Sequence, residues 1–263
     1  MIVSTYHTHS NFSDGKNTLE EMVLSAIKNG MRELGFSDHA PMGFECAWDV
    51  DKEKISEYKK EVLALKEKYK DQIKIYLGIE QDYFSTKAEG YEYILGSVHY
   101  IYKDGKYLEL DYSAERTKEN IDLYYGGDAL AYCEDYYKLV GDVVEKTGCQ
   151  IIGHFDLITK FNEKMPLIDI NHPRYQKAYK DALDKLLKTD AIFEINTGAI
   201  SRGYRTSPYP NDEMIDYIAK SGKPFAICSD THSVDSVACN LENEREKLEK
   251  KGYKYIKSLE EIL

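Results

Sequence analysis

The sequence lacks a CxxC pair, and its five cysteines, Cys46, Cys133, Cys149, Cys228 and Cys239, are odd in number. That argues against a disulfide framework and for reduced, mostly buried thiols, and nothing in their spacing points to a cysteine nucleophile. There is no apolar run of about 18 residues, so no membrane-spanning helix is expected. Met1 leads into a strand-like segment without the basic stretch and apolar core of a signal peptide, and the expected location is the cytoplasm. Basic residues are in deficit, with 35 Lys and Arg against 46 Asp and Glu and a net charge of −11. This argues against a protein that grips nucleic acid along its backbone, although a local metal cluster can still present positive charge to a small anion. No linker rich in Gly, Pro or Ser divides the chain, and no repeat or low-complexity segment occurs. With 263 residues and 42% hydrophobic content, residues 1–263 are expected to form one large domain with a substantial core. The 23 tyrosines are read as amphipathic packing residues. The sequence sets no oligomeric state.

What is present is an alternation of short apolar runs with longer amphipathic ones. Strands are predicted at 2–6, 33–37, 73–80, 93–99, 150–154, 191–196 and 224–230. Helices are predicted at about 19–29, 51–69, 128–147, 174–188, 211–221 and 241–251. Thr18 with Glu21 offers a capping box for the first helix, and Gly222 a stop for the fifth. Stretch 100–127 is irregular and is expected to form a hairpin and loop over one end of the fold. Repeated strand–helix alternation implies a parallel sheet, and seven strands suggest an α/β fold of the closed or nearly closed β/α barrel type.

Six of the seven histidines sit at or just after the end of a predicted strand. His7 and His9 follow the first strand in MIVSTYHTHSNFSDG, His39 the second, and His99 and His154 end GSVH and IIGH. His232 follows ICSD. Glu80 and Asp230 end their strands in the same way, and Asp14 lies close behind His9. In β/α barrels the C-terminal strand ends converge on one face, where active sites collect. A single histidine at a strand end is an ordinary structural residue. Six, with three carboxylates, would make a costly buried cluster unless they coordinate something, and imidazole with carboxylate suits Zn, Mn or Fe. His7 and His9, two apart in extended chain, project to the same side. His172, before a proline, is read as a surface or capping residue.

The motifs HTHSNFSDG, FSDHAPM, GIEQDY, GSVHY, IGHFD and CSDTH together resemble the polymerase-and-histidinol-phosphatase (PHP) family, from residue 3 to about 240. Within it, GHFDLITKFN and EINTGAISRGYRTSPYP are most similar to the monofunctional histidinol-phosphate phosphatases. The resemblance implies a distorted (β/α)7 barrel holding three divalent ions. His7, His9, Glu80 and Asp230 would hold the first. Glu80 would bridge to a second completed by His99 and His154, and Asp14, His39 and His232 would hold the third. Many family members carry histidine where this chain has Asp14, a change that bears on metal preference.

Three divalent ions, three carboxylates and a bridging hydroxide sum to about +2, so an acidic protein would present an electrophilic patch to an anion. Closely spaced ions lower the pKa of a shared water and clamp an in-line displacement at phosphorus. The expected reaction is hydrolysis of L-histidinol phosphate by that hydroxide. Glu80 and Asp230 would carry catalysis from the metal side, and Arg202 and Lys160 from the phosphate side. Arg202, Arg205 and Lys160 follow barrel strands and are expected to contact phosphate. Asp82 and Glu115 are candidates for the cationic end of the substrate. Asp156 and Asp82 could each orient a ligand residue or cap a turn, and Asn196 and Thr197 could line the pocket or serve structure. The competing readings are another small phosphoester, nucleotide or phosphotyrosine, on the same metals, and a metal-bound binding module without catalysis.

Overall fold

A computed structural model of the protein describes residues 4–263. Ile2 and Val3 of the expected first strand lie outside the described residues. The chain runs β1 (Ser4–Thr5), α1 (Leu19–Lys28), β2 (Glu33–Phe36), α2 (Ile55–Lys68), β3 (Lys74–Asp82) and β4 (Tyr93–Ser97). It continues through β5 (Tyr100–Lys103), β6 (Lys106–Glu109), α3 (Ala114–Tyr125), α4 (Ala129–Gly141), α5 (Val143–Thr147) and β7 (Ile151–Ile152). It ends with α6 (Pro173–Leu186), β8 (Ile192–Asn196), α7 (Gly198–Ser201), α8 (Asp212–Ala219), β9 (Phe225–Cys228) and α9 (Leu241–Lys251).

Seven strands pair in parallel in the order β1-β2-β3-β4-β7-β8-β9, and β5 and β6 form a separate antiparallel hairpin. The sheet nearly closes into a barrel. Beyond the ends of β1 and β9, His9 N–H donates to Thr231 O at 2.9 Å and Thr231 N–H to His7 O at 3.3 Å. Lower down, Ser229 N–H donates to Thr5 Oγ1 at 3.0 Å. The seam is therefore stitched at the residues flanking the histidines.

Alternation along each strand decides which face a residue takes. Tyr76, Tyr93, Leu95, Ile151, Ile192 and Ala226 pack together in one apolar cluster inside the barrel. Their strand neighbours Ile75, Leu77, Ile79, Phe193, Ile195 and Ile227 pack in the larger cluster with the helices. Continuing the inward register by twos reaches Glu80 on β3 and Glu194 and Asn196 on β8. Polar groups thus enter the barrel at its C-terminal end because the strand period carries them there.

The expected α1 capping box is present, with Glu21 N–H donating to Thr18 Oγ1 at 3.3 Å and Thr18 N–H to Glu21 Oε2 at 2.9 Å. His172 caps α6, its Nδ1 accepting from Arg174 N–H at 3.1 Å. Stretch 100–127 contains the expected hairpin but not the expected loop, because 114–125 is helix α3. Ser113 caps it and Gly126 ends it. Its buried face carries Thr117, Asn120 and Ile121, so it has no apolar stripe to read. The helix expected over 128–147 breaks at Asp142 into α4 and α5.

Candidate metal centre

Glu80 stands at the middle of the C-terminal face, 1% exposed. Its Oε2 lies 3.0 Å from His7 Nε2, 3.0 Å from His39 Nδ1 and 3.5 Å from His9 Nε2. Its Oε1 lies 3.0 Å from His154 Nε2 and 3.5 Å from His99 Nε2. Asp230 Oδ1 is 3.3 Å from His9 Nε2 and 3.6 Å from His7 Nε2. Asp14, the exposed member, is 3.1 Å from His232 Nε2 and 3.6 Å from His39 Nε2. The nine residues nominated as metal ligands therefore converge. They form four overlapping groups: His9, Asp14, His39 and His232; His7, His9 and Asp230; His7, Glu80 and His154; His39, Glu80 and His99. Within each, the donor atoms lie within 4.8 Å of one another. His7, His9 and His39 each join two groups, where the resemblance assigned each to one.

The donor set fits divalent ions on two counts. His9 is fully buried, yet neither of its ring nitrogens has a hydrogen-bond partner among the described residues, and His154 Nδ1 is also unpartnered. His9 Nε2 approaches Asp230 without the alignment of a hydrogen bond. An unsatisfied buried polar atom costs about 1–3 kcal/mol, a penalty that coordination of an ion removes. Burial, with the neighbouring His232 and His39, pushes the His9 pKa down to about 3, leaving a neutral imidazole ready to ligate. Burial opposes charge on His7 too, but Glu194, Glu80 and Asp230 outweigh it and raise its pKa well above the ordinary value. Burial likewise opposes charge on His99, and Glu80 and Asp82 carry it to about 9. Burial would protonate Glu80, but His7, His39 and His99 hold it well below the carboxylate range. Without ions, carboxylates and imidazoliums neutralise one another. Ion binding displaces those protons.

Groups behind the histidines fix their positions. Glu194, fully buried, has Oε1 2.7 Å from His7 Nδ1, while its Oε2 accepts from His154 N–H at 2.8 Å and Asn196 Nδ2 at 2.9 Å. It aims His7 Nε2 at the cluster, the usual work of a carboxylate behind a ligating histidine. Sequence reasoning missed it, although a lone carboxylate inside the apolar strand AIFEIN was the available signal. Asp38, also missed, shapes the loop between His9 and Asp14 by accepting from Ser10 N–H at 2.7 Å and Ser13 Oγ at 2.5 Å. Asp230 takes φ 46°, a left-handed conformation costing about 1 kcal/mol outside glycine. Arg202 holds it there, with Nη1 3.0 Å from its carbonyl and Nη2 2.9 Å from its Oδ2. A side chain on Gly198 would meet both groups, since a Cβ there falls 2.7 Å from Asp230 Oδ2 and 2.8 Å from Arg202 Nη2.

A cavity of about 360 Å³ opens over the cluster, and Arg202 and Lys160 line it as expected from sequence. Lys160 Nζ donates to Asp111 O at 2.9 Å and lies 3.2 Å from Asp111 Oδ2. Three expected positions differ. Arg205 does not line the cavity: Gly203, at φ 71°, reverses the chain after α7, and Arg205 turns inward to pair with Asp156 at 3.2 Å and Thr159 Oγ1 at 2.9 Å. Asp156 is thus the partner of Arg205 and does not orient a ligand histidine; it also accepts from Thr159 Oγ1 across the turn that follows it, with Oδ2 at 3.3 Å. Asp82 is buried behind His99, accepting its N–H at 2.6 Å with Nδ1 at 3.2 Å, so of its two expected roles the carboxylate takes the one that orients this histidine and not the one at the substrate. Glu115 is exposed in the first turn of α3 and is not among the lining residues. Asn196 and Thr197 are fully buried and bonded to Glu194 and to the carbonyls of Cys228 and Cys239. Lys16, Trp48, Glu109 and Asp111 line the cavity without having been nominated, because the first two and Asp111 lie on loops and Glu109 ends a hairpin strand outside the barrel sheet.

A family model described as PHP domain matches residues 5–198. A protein of Schizosaccharomyces pombe named "Probable histidinol-phosphatase" is 25% identical over 272 residues, covering 94% of this chain and 86% of that protein. The solved structure of a candidate histidinol phosphatase from Listeria monocytogenes superposes with a TM-score of 0.78 at 22% identity, covering 91% of this chain and 99% of that one. The histidinol phosphate phosphatase of Lactococcus lactis, solved with Zn, L-histidinol and phosphate, superposes with a TM-score of 0.73 at 20% identity, covering 97% of this chain and 95% of that one. These likenesses establish a common fold.

Proposed function

Because the chain belongs to the PHP domain family, we propose that it is a metal-dependent phosphomonoesterase that converts L-histidinol phosphate to L-histidinol and phosphate, a step of histidine biosynthesis. One observation carries the chemistry: Glu80 lies within 3.5 Å of five imidazoles, at the floor of a cavity that also presents Arg202 and Lys160. The relatives' names and the L-histidinol bound in the Lactococcus lactis structure support the substrate.

On this reading three divalent ions, Zn, Mn or Fe, occupy the cluster. His7, His9, Glu80 and Asp230 would hold one, Glu80, His99 and His154 a second, and Asp14, His39 and His232 the third. When bound, such ions supply Lewis acidity toward phosphoryl oxygen and lower the pKa of coordinated water. The chain's own residues do the rest. Glu194 and Asp82 fix the orientation of His7 and His99 through their Nδ1 atoms, so the ligand geometry is set before substrate arrives. Arg202, only partly covered, has a guanidinium that can contact phosphate oxygens while it braces Asp230. Lys160 adds a second cation, kept in place by Asp111. Burial would raise the Asp111 pKa, but Lys160 and His99 lower it to about 2, so the brace stays charged at neutral pH. Residues 1–263 act as one such domain in the cytoplasm, on a small phosphoester and not on nucleic acid. No helix among the described residues is long and apolar enough to cross a membrane.

The test is phosphate release from L-histidinol phosphate, a ribonucleoside monophosphate, phosphotyrosine and a short oligonucleotide. L-Histidinol phosphate is expected to lead in kcat/KM by at least about a hundredfold, since the cavity would desolvate its polar end as well as its phosphate. A lead for the nucleotide or phosphotyrosine overturns the substrate assignment and leaves the metal chemistry standing. Hydrolysis of none, with ions bound, favours the binding module.

A further inference from the structure

The sequence called for a carboxylate at the non-phosphate end of the substrate, and neither residue nominated for it faces the cavity. The hairpin supplies the position. After β6 the chain stays extended, and Leu110 N–H donates to His99 O at 3.0 Å, tying the segment to the cluster. Leu110 is buried in the core, so the side chains on either side of it, Glu109 and Asp111, project the other way, and both line the cavity.

These two carboxylates are in different electrostatic states. Asp111 already has a cation, Lys160. Glu109 has only a neutral donor, Tyr100 OH at 3.3 Å, and no cation pairs with it among the described residues. Tyr100 OH also accepts from Trp48 Nε1 at 3.1 Å. The Trp48 indole stands edge-on to His39 and His99, with ring centroids 4.4 Å and 5.4 Å away. Glu109 is therefore one indole removed from the ion cluster, across an aromatic surface that itself lines the cavity. A phosphoester with its phosphate at the ions would extend over Trp48 toward an uncompensated carboxylate.

We propose that Glu109 is the specificity-determining residue: its carboxylate binds the ammonium of the substrate while Trp48 packs against the imidazole. This rests on the substrate reading above and makes it more specific. The enzyme selects phosphomonoesters that carry a cationic nitrogen a few bonds from the ester oxygen, and the partly shielded ion pair supplies the selection.

The experiment compares metal-loaded wild type, Glu109→Gln and Glu109→Asp on L-histidinol phosphate and on its amine-free analogue, 3-(imidazol-4-yl)propyl phosphate, with metal content measured on each. Glu109→Gln is expected to lower kcat/KM for L-histidinol phosphate about 10- to 100-fold more than for the analogue. Glu109→Asp is expected to restore part of that difference. Equal losses on both substrates, or no loss on either, overturn the proposal. Wild type that leaves L-histidinol phosphate intact while hydrolysing p-nitrophenyl phosphate overturns the substrate reading, and this inference with it.

Discussion

Glu80→Ala is expected to lower phosphate release from L-histidinol phosphate by at least about three orders of magnitude, because it removes the one carboxylate shared by the ion groups. Both oxygens of Glu80 are engaged, one toward His7, His9 and His39 and the other toward His99 and His154. Removing it should also weaken the ion-free fold. Without ions His7 is held charged by Glu194, Glu80 and Asp230 and His99 by Glu80 and Asp82, so truncation removes one of the carboxylates that compensates this buried positive charge. Breaking a buried pair by removing one partner costs about 3–5 kcal/mol. Glu80→Gln keeps the shape and loses the charge, and it should lose as much activity. Metal content by mass spectrometry, denaturant unfolding of the ion-free proteins and phosphate release together check this. Glu80→Gln protein that retains its ions and works within tenfold of wild type would remove Glu80 from the shared position.

His9→Leu should lose activity to a similar extent, at least about a thousandfold, with the opposite effect on the ion-free fold. His9 is held uncharged there and both its nitrogens are unpaired. An apolar side chain of similar size leaves no charge exposed and removes a penalty of about 1–3 kcal/mol per buried unsatisfied atom. Ion-free His9→Leu is therefore expected to unfold at the same denaturant concentration as ion-free wild type or a higher one. Wild type should gain stability on ion addition through preferential binding to the native state, and the variant should gain much less. A variant that is less stable without ions, but gains as much from them as wild type, would mark His9 as a packing residue.

These two residues were legible in the sequence for the same reason. Parallel strands deliver their C-terminal ends to one face, so residues at equivalent strand ends converge even when, like His7 and His232, they are far apart in the chain. The parallel barrel followed from strand–helix alternation, and the histidine cluster followed from the barrel. Much of what the sequence hid lies where no strand period operates, although Glu194 and Asp82 stand on strands. Arg205 and Arg202 sit three apart in one motif, and a single backbone reversal at Gly203 sends one to the core and the other to the cavity. Asp82 follows Glu80 by two and shares its face, but it ends one layer further out, behind His99. Glu109 and Asp111 belong to an insertion whose path over the cavity depends on tertiary contacts. Helix α3 was invisible because its buried side is largely polar, with Ile121 its one buried apolar residue.

The measurement closest to the central claim is phosphate release from L-histidinol phosphate by wild-type protein stripped of divalent ions and then titrated with Mn or Zn, bound metal being counted on the same samples. Activity is expected to vanish on stripping, and to return as ions bind, approaching completion at about three per chain. Ion-free protein that hydrolyses L-histidinol phosphate at the reloaded rate would contradict the account, and so would fully loaded protein that releases no phosphate from it.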